Sequence, residues 1–204
     1  MTLSEFDNEI RKDYNVVCGC DEAGRGPLAG DVFAAAVIFD KDTVIEGIND
    51  SKKLTAKKRE ELFDEIMEKA VDFSIQTATV EEIEDINILN AAMLAMKRAV
   101  EDMDTKPDVC LIDGNKTPEG LECPAIAVVK GDAKSQAVAA ASILAKVARD
   151  RYMEQMAERY PEYRFEKHKG YGTKLHYQMI DQYGPCGIHR MSFLKKYYAK
   201  KNGH

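Results

Sequence analysis

The chain has 204 residues, 45% hydrophobic and 31% charged, with a net charge of −6. That length suits one domain, or one domain with an extension, and can bury about 70% of its unfolded surface. Wholesale disorder is excluded, and no apolar run nears the ~20 residues that span a bilayer, so no membrane partner is expected. Met1 to Asp13 is polar and mixed in charge, unlike a secretory signal, and the expected location is the cytoplasm. Val16 to Asp21 reads as a short strand. Gly24-Arg25-Gly26-Pro27 and Gly30 force a turn, and Val32 to Phe39 is a second strand, making an antiparallel hairpin. Thr55 caps a predicted helix over 56–70, with Leu62, Phe63, Ile66, Met67 and Ala70 as its apolar positions at helical spacing. A third strand follows over 71–79. Thr79 and Glu82 form a capping-box pattern for a short helix, and Asn87 opens a longer one. Val109 to Ile112 and Ala125 to Val129 are further strands. An alanine-rich helix covers about 137–159, another about 174–183, and a basic aromatic stretch ends the chain. Helices on a mixed sheet give an α/β or α+β class.

Charge is unevenly spread. From Arg164 to His204, nine lysines and arginines face two acids, a net of +7, so the other 163 residues carry −13. A basic end beside an acidic body can bind phosphates while the body holds cations; a merely solvated tail is the plain alternative. The five cysteines have no disulfide or zinc spacing and read as reduced thiols.

Three acidic sites adjoin apolar strands: Asp21-Glu22, Asp113 and Asp132. Residues at strand ends converge on one rim of a sheet. Converging carboxylates repel, and divalent cations remove that repulsion; oxygen donors suit Mg²⁺ or Mn²⁺. A pair of such ions can activate a water and stabilise the leaving oxygen of a phosphodiester. The alternative is a set of structural strand-end acids. Asp21 and Glu22 are neighbours, so both reach one site only if the strand ends there. Gly24-Arg25-Gly26 lets the backbone approach a ligand, or is a plain turn. Asp50-Ser51-Lys52-Lys53 precedes a helix, and Lys167, Lys169 and Lys174 surround Tyr171, a combination that can hold phosphates and stack on a sugar or base. His168 and His189 are expected to be structural or phosphate-facing.

Together these segments closely resemble ribonuclease HII. The resemblance rests on CDEAGRGPLAG at 20–30, NDSKKL at 49–54, LIDGN at 111–115, KGDAKS at 130–135, AAASILAKVARD at 139–150, KHKGYGTK at 167–174 and GPCGIHR at 184–190. It implies an RNase H-like fold: a mixed five-stranded sheet flanked by helices, with a catalytic core at 1–160 and a C-terminal helical extension at 161–204 packed on it. It implies an endonuclease that cuts RNA in RNA–DNA hybrids and cuts duplex DNA on the 5′ side of an embedded ribonucleotide, leaving 3′-OH and 5′-phosphate. Asp21, Glu22, Asp113 and Asp132 match the family's metal-binding acids, with Mn²⁺ or Mg²⁺ as cofactor; Asp150 competes with Asp132 as the fourth. Gly24, Arg25 and Gly26 match the motif that reads the 2′-hydroxyl, and Tyr171 the tyrosine that stacks on the ribose. Ser51, Lys52, Lys53 and Lys169 complete the expected substrate contacts. Ribonuclease HIII is disfavoured, since only about 15 residues precede the first strand. Met191-x-x-Leu194-x-x-Tyr197-Tyr198 has the spacing of a sliding-clamp peptide without its leading glutamine, and a monomer is expected. A non-catalytic binding module and another RNase H-like nuclease or integrase are the alternatives.

Overall fold

The computed structural model describes residues 1–202. The strands are Val17–Ala23 (β1), Val32–Ile38 (β2), Asp72–Ala78 (β3), Val109–Asp113 (β4) and Ala125–Val128 (β5). They form one sheet in the order β3-β2-β1-β4-β5. β1, β2 and β3 pair antiparallel, whereas β1–β4 and β4–β5 are parallel. The helices are Leu3–Ile10 (α1), Ala56–Lys69 (α2), Val80–Glu101 (α3), Gln136–Arg159 (α4), Phe165–His168 (α5), Lys174–Tyr183 (α6) and Met191–Asn202 (α7). Among the described residues no helix is long and apolar enough to cross a membrane. All five cysteines are free, and Cys18, Cys20 and Cys110 lie in the core.

Local chemistry explains most boundaries. Thr55 Oγ1 accepts the Lys58 N–H and starts α2. Thr79 and Glu82 make both halves of a capping box at the start of α3. Asn87 then adopts φ +67°, and its Oδ1 accepts the N–H groups of Leu89 and Asn90. The span α3 is therefore two helices, as the sequence predicts: a short one that ends before Asn87 and a longer one that Asn87 caps across a kink. α1 was not expected from the sequence, although Thr2 and Glu5 cap it reciprocally. The basic aromatic end is also a helix, α7.

The sheet buries both faces. Cys18, Cys20, Ala34 and Ala36 pack on Ala91, Ala95, Met96 and Ala99 of α3. Ala35 and Val37 pack on Leu62 and Ile66 of α2 and on Ala139, Ala140, Ile143 and Leu144 of α4. The alanines let α4 lie close to β1. A Cβ on Gly19 would stand 2.2 Å from the Ala137 carbonyl carbon, so only glycine fits. Asp7 of α1 accepts the Ala137 N–H at 2.9 Å and pins the same helix start. Gly19→Ala should therefore lower unfolding stability by about 2 kcal/mol or more. An unchanged denaturant midpoint would mean that α4 can shift off the sheet freely.

Beyond α4 the chain folds back over the turn that follows β1. Tyr163, Phe165 and Met153 enclose Ala29, and Leu194 of α7 packs with Leu28 and Ile180. Ser192 at the start of α7 donates its N–H and hydroxyl to Glu84 of α3.

Candidate active site

β1 does not end at its acids. It runs on to Ala23, with Asp21 opposite Ala35 and Glu22 opposite Ala34 on β2. The expectation that the strand stops there is corrected: what stops is the parallel pairing with β4, which ends at Cys20–Ile112. Beyond that point one edge of β1 is open. Asp21 is buried, 6% exposed. Glu22 is half-buried and pairs with Arg25 at 3.1 Å. Asp113 closes β4, and its Oδ1 accepts the Gly131 N–H at 2.7 Å. That N–H belongs to the 3-10 turn Gly131–Ala133, which carries Asp132 after β5. The carboxyl ends of the adjacent strands thus bring all four acids to one rim.

The electrostatics are those of an uncompensated acid cluster. Burial, then the charges of Glu22, Asp113 and Asp132, hold the Asp21 carboxyl well above the usual range. Burial raises Asp132 as well, helped by Asp113 and Asp50 and opposed by Lys52. Burial works to lower Lys52, but Asp21, Asp50, Asp132 and Asp113 outweigh it and raise it. Asp50, which the sequence reading treated only as part of a basic loop, is thus a fifth acid beside the site. Among the described residues no three His, Cys, Asp or Glu side chains are grouped to hold one ion as placed. The donor set fits a hard divalent cation in its chemistry, all-oxygen and mutually repelling, and the acids would have to draw together to share one.

Asp150 lies within α4 rather than after a helix. Lys146 donates to it at 2.6 Å and Arg59 stands at 3.9 Å, so its charge is already balanced.

A cleft of about 490 Å³ opens beside the acids. Asp21, Glu22, Gly24, Arg25, Gly26, Ser51, Lys52 and Tyr171 line it, with Lys146 and an apolar wall of Ile88 and Phe193. Gly26 faces the Tyr171 ring: a Cβ there would be 3.8 Å from Tyr171 Cε1. Tyr171 is 44% exposed. Lys53 is outside the lining, 3.9 Å from Asp50. Lys169 is also outside it, its ammonium on Glu154 at 2.7 Å.

His168, His176 and His189 are buried. Cys186 N–H donates to His189 Nδ1 at 2.9 Å, His189 Nε2 meets His176 Nε2 at 3.0 Å, and His176 Nδ1 meets the Tyr171 carbonyl at 3.0 Å. One tautomer satisfies the chain: His189 Nε2–H donates to His176, and His176 Nδ1–H donates to Tyr171. These histidines are structural, and none faces the cleft. Burial pushes His176 and His189 down to about 4.

A five-stranded mixed sheet of this order, flanked by helices and carrying acids at the ends of its central strands, is the RNase H-like fold of metal-dependent nucleases. The ribonuclease HII family model matches residues 18–196. Ribonuclease HII of Caldicellulosiruptor saccharolyticus is 55% identical over 189 residues, covering 93% of this chain and 92% of that protein. The crystal structure of ribonuclease H2 from Pyrococcus horikoshii superposes with a TM-score of 0.72 at 30% identity, covering 87% and 93% of the two chains. A chain of the PCNA:RNase HII complex from Archaeoglobus fulgidus gives 0.67 at 25% identity, covering 86% and 94%. The chain belongs to the ribonuclease HII family. It is a ribonuclease H, an endonuclease acting on RNA in RNA–DNA hybrids.

Proposed function

We propose that the enzyme also cuts duplex DNA on the 5′ side of an embedded ribonucleotide, leaving 3′-OH and 5′-phosphate ends. The observation that carries this is one cleft in which the acid rim adjoins Gly24-Arg25-Gly26 and the facing Tyr171 ring. Asp21, Glu22, Asp113 and Asp132 would hold Mn²⁺ or Mg²⁺; Asp132 is favoured over Asp150, whose charge is already paired. Divalent ions at such a site lower the pKa of water and offset charge on the phosphodiester oxygens. The rest falls to the chain itself. Backbone groups of Gly24 to Gly26 would read the ribose 2′-hydroxyl, and the Tyr171 ring would stack on that sugar. Lys52, beside the acids, would hold the phosphate next to the cut, whereas Lys53 and Lys169 would serve the outer backbone. Residues 1–160 would be the catalytic core and 161–204 the substrate-binding extension of one monomeric unit; residues 203–204 lie outside the described residues.

The test is cleavage of a DNA duplex holding one ribonucleotide, with Mg²⁺, Mn²⁺ or EDTA, against an all-DNA control. A metal-dependent cut 5′ of the ribonucleotide is expected. Cutting of continuous hybrid alone would reject the proposal. Tyr171→Ala should reduce cleavage at the single ribonucleotide roughly tenfold or more, and harm continuous hybrid less, because stacking contributes about 1–3 kcal/mol per contact. Equal losses on both substrates would mark the ring as a packing residue.

A sliding-clamp contact through the C-terminus is a second reading, favoured by the PCNA complex of the A. fulgidus relative. Leu194 is fully buried and the Tyr197 hydroxyl donates to Asp181, so binding would require α7 to be released. Unchanged clamp binding after truncation beyond Ser192 would dispose of it.

A further inference from the structure

Ile188 to Arg190 run along the turn that follows β1. Gly30 N–H donates to the Ile188 carbonyl and Arg190 N–H to that of Leu28, both at 2.8 Å. The Arg190 side chain is fully buried and directs its donors at this one turn. Nε donates to the Gly30 carbonyl at 2.9 Å. Nη1 donates to Arg25 at 3.1 Å and to Pro27 at 2.9 Å. Nη2 donates to Gly24 at 2.7 Å and to Gly30 at 2.6 Å. Four carbonyls of one seven-residue turn thus converge on a single planar cation.

Among the described residues no carboxylate forms an ion pair with it. A buried charge costs several kcal/mol; the charge of Asp31 favours the cation from beyond ion-pair distance, and the four carbonyls hold it directly through charge-assisted hydrogen bonds. A leucine would fill such a core position at less cost. A second buried cation, Arg149, lies below: its Nη2 donates to Ala29 and its Nη1 to Lys169, both at 3.1 Å. Arg149 therefore ties the turn to the segment that carries Tyr171. Gly24 has φ +103°, and a Cβ there would meet Arg149 Nε at 2.2 Å.

We infer that Arg190 is a positioning residue for cleavage: its guanidinium sets the curvature of Gly24–Gly30 and thereby aims the backbone of Gly24 to Gly26 into the cleft opposite Tyr171. The inference rests on the proposed reading of that turn as the ribose reader. Carbonyls held by the fork need no reorganisation when substrate arrives, which is the advantage of a preorganised site. Lysine cannot replace it, because one ammonium lacks the planar set of five donors.

The test compares wild type, Arg190→Lys and Arg190→Ala at a temperature where circular dichroism shows all three folded. The substrates are a duplex with one ribonucleotide and a continuous RNA–DNA hybrid, and Mn²⁺ affinity is measured by calorimetry. In both variants kcat/KM should fall roughly tenfold or more, with Mn²⁺ affinity within about twofold of wild type. Millimolar guanidinium should restore part of the loss in Arg190→Ala, and methylammonium should not. Retention of more than half of wild-type kcat/KM in Arg190→Lys would overturn the inference. So would a loss matched by an equal loss of Mn²⁺ affinity, since the acid rim itself would then have moved. Should Arg190→Ala not fold, Arg190→Lys still decides. Failure of wild type to cut at the single ribonucleotide would strike the proposed function instead, and hybrid cleavage by the variants would still test Arg190.

Discussion

Asp21→Asn should reduce cleavage of an RNA–DNA hybrid to well under about a tenth of wild type, in Mg²⁺ or Mn²⁺, while substrate binding persists. Asp21 is the most buried of the four acids and feels the charges of the other three. The substitution keeps the size of the side chain and an oxygen that can still accept the Glu22 N–H, as Asp21 Oδ1 does at 2.7 Å. What it removes is charge. The folded carboxyl titrates above its ordinary range, so its ionised form destabilises the fold once pH rises past the unfolded value of 3.8. In EDTA at neutral pH the variant should therefore melt no lower than wild type, and higher if repulsion dominates. Divalent ions should raise the Tm of wild type more than that of the variant, by mass action. Cleavage above about a tenth of wild type would remove Asp21 from the chemistry. A large fall in Tm without metal would make it a structural acid.

The second large effect concerns acid. The unfolded imidazoles of His176 and His189 take up protons near pH 6.5, and the folded ones only near 4. Between those values the unfolded chain binds more protons, so stability must fall as pH drops from about 6.5 to about 4, and level off below. Each shift corresponds to on the order of 3 kcal/mol, and the pair to less than twice that, because one hydrogen bond joins them. A proton on His176 Nε2 would face the His189 Nε2–H and break the chain that ends on the Tyr171 carbonyl. Both rings are also packed against Phe165, and His168 stacks on His176 at 4.3 Å. Imidazole resonances that stay neutral down to about pH 5, with a Tm falling over the same range, are the expected result. Protonation of either ring near pH 6.5 in the folded protein would contradict it. Asp7, Asp21 and Asp132 are raised and act in the opposite sense, so the resonances identify the histidine contribution better than Tm alone.

Near neighbours along the chain dictate much of the fold. Apolar runs marked four strands and alternation the third, and Thr55, Thr79 and Asn87 marked helix starts, because a cap hydrogen-bonds within three residues of itself. The acids were visible because each adjoins an apolar run, and the motifs that carry the family resemblance are contiguous. α1 carries a local signal of the same kind, since Thr2 and Glu5 are a capping box.

Tertiary structure decided the rest. The expected strand end after Asp21 was wrong because a strand ends where its partners stop, and β2 continues to Phe33 opposite Ala23 whereas β4 does not continue. Asp50 is a surface acid in sequence; only the fold sets it beside Asp132. Asp150 competes with Asp132 in sequence; in the fold α4 places Lys146 one turn from it and Arg59 across from it. Lys169 pairs with Glu154 on α4, a partner that only the fold supplies. Arg149 and Arg190 are fully buried, and nothing local to them in the sequence signals that burial. Arg190 reaches Gly24 across 166 positions of chain. The chain itself thus determined most of its elements and its family, and marked its candidate acids, through interactions spanning a few residues. Which acids stay uncompensated, and which cations hold the turn beside them, depends on partners brought together only when the C-terminal helices close over β1.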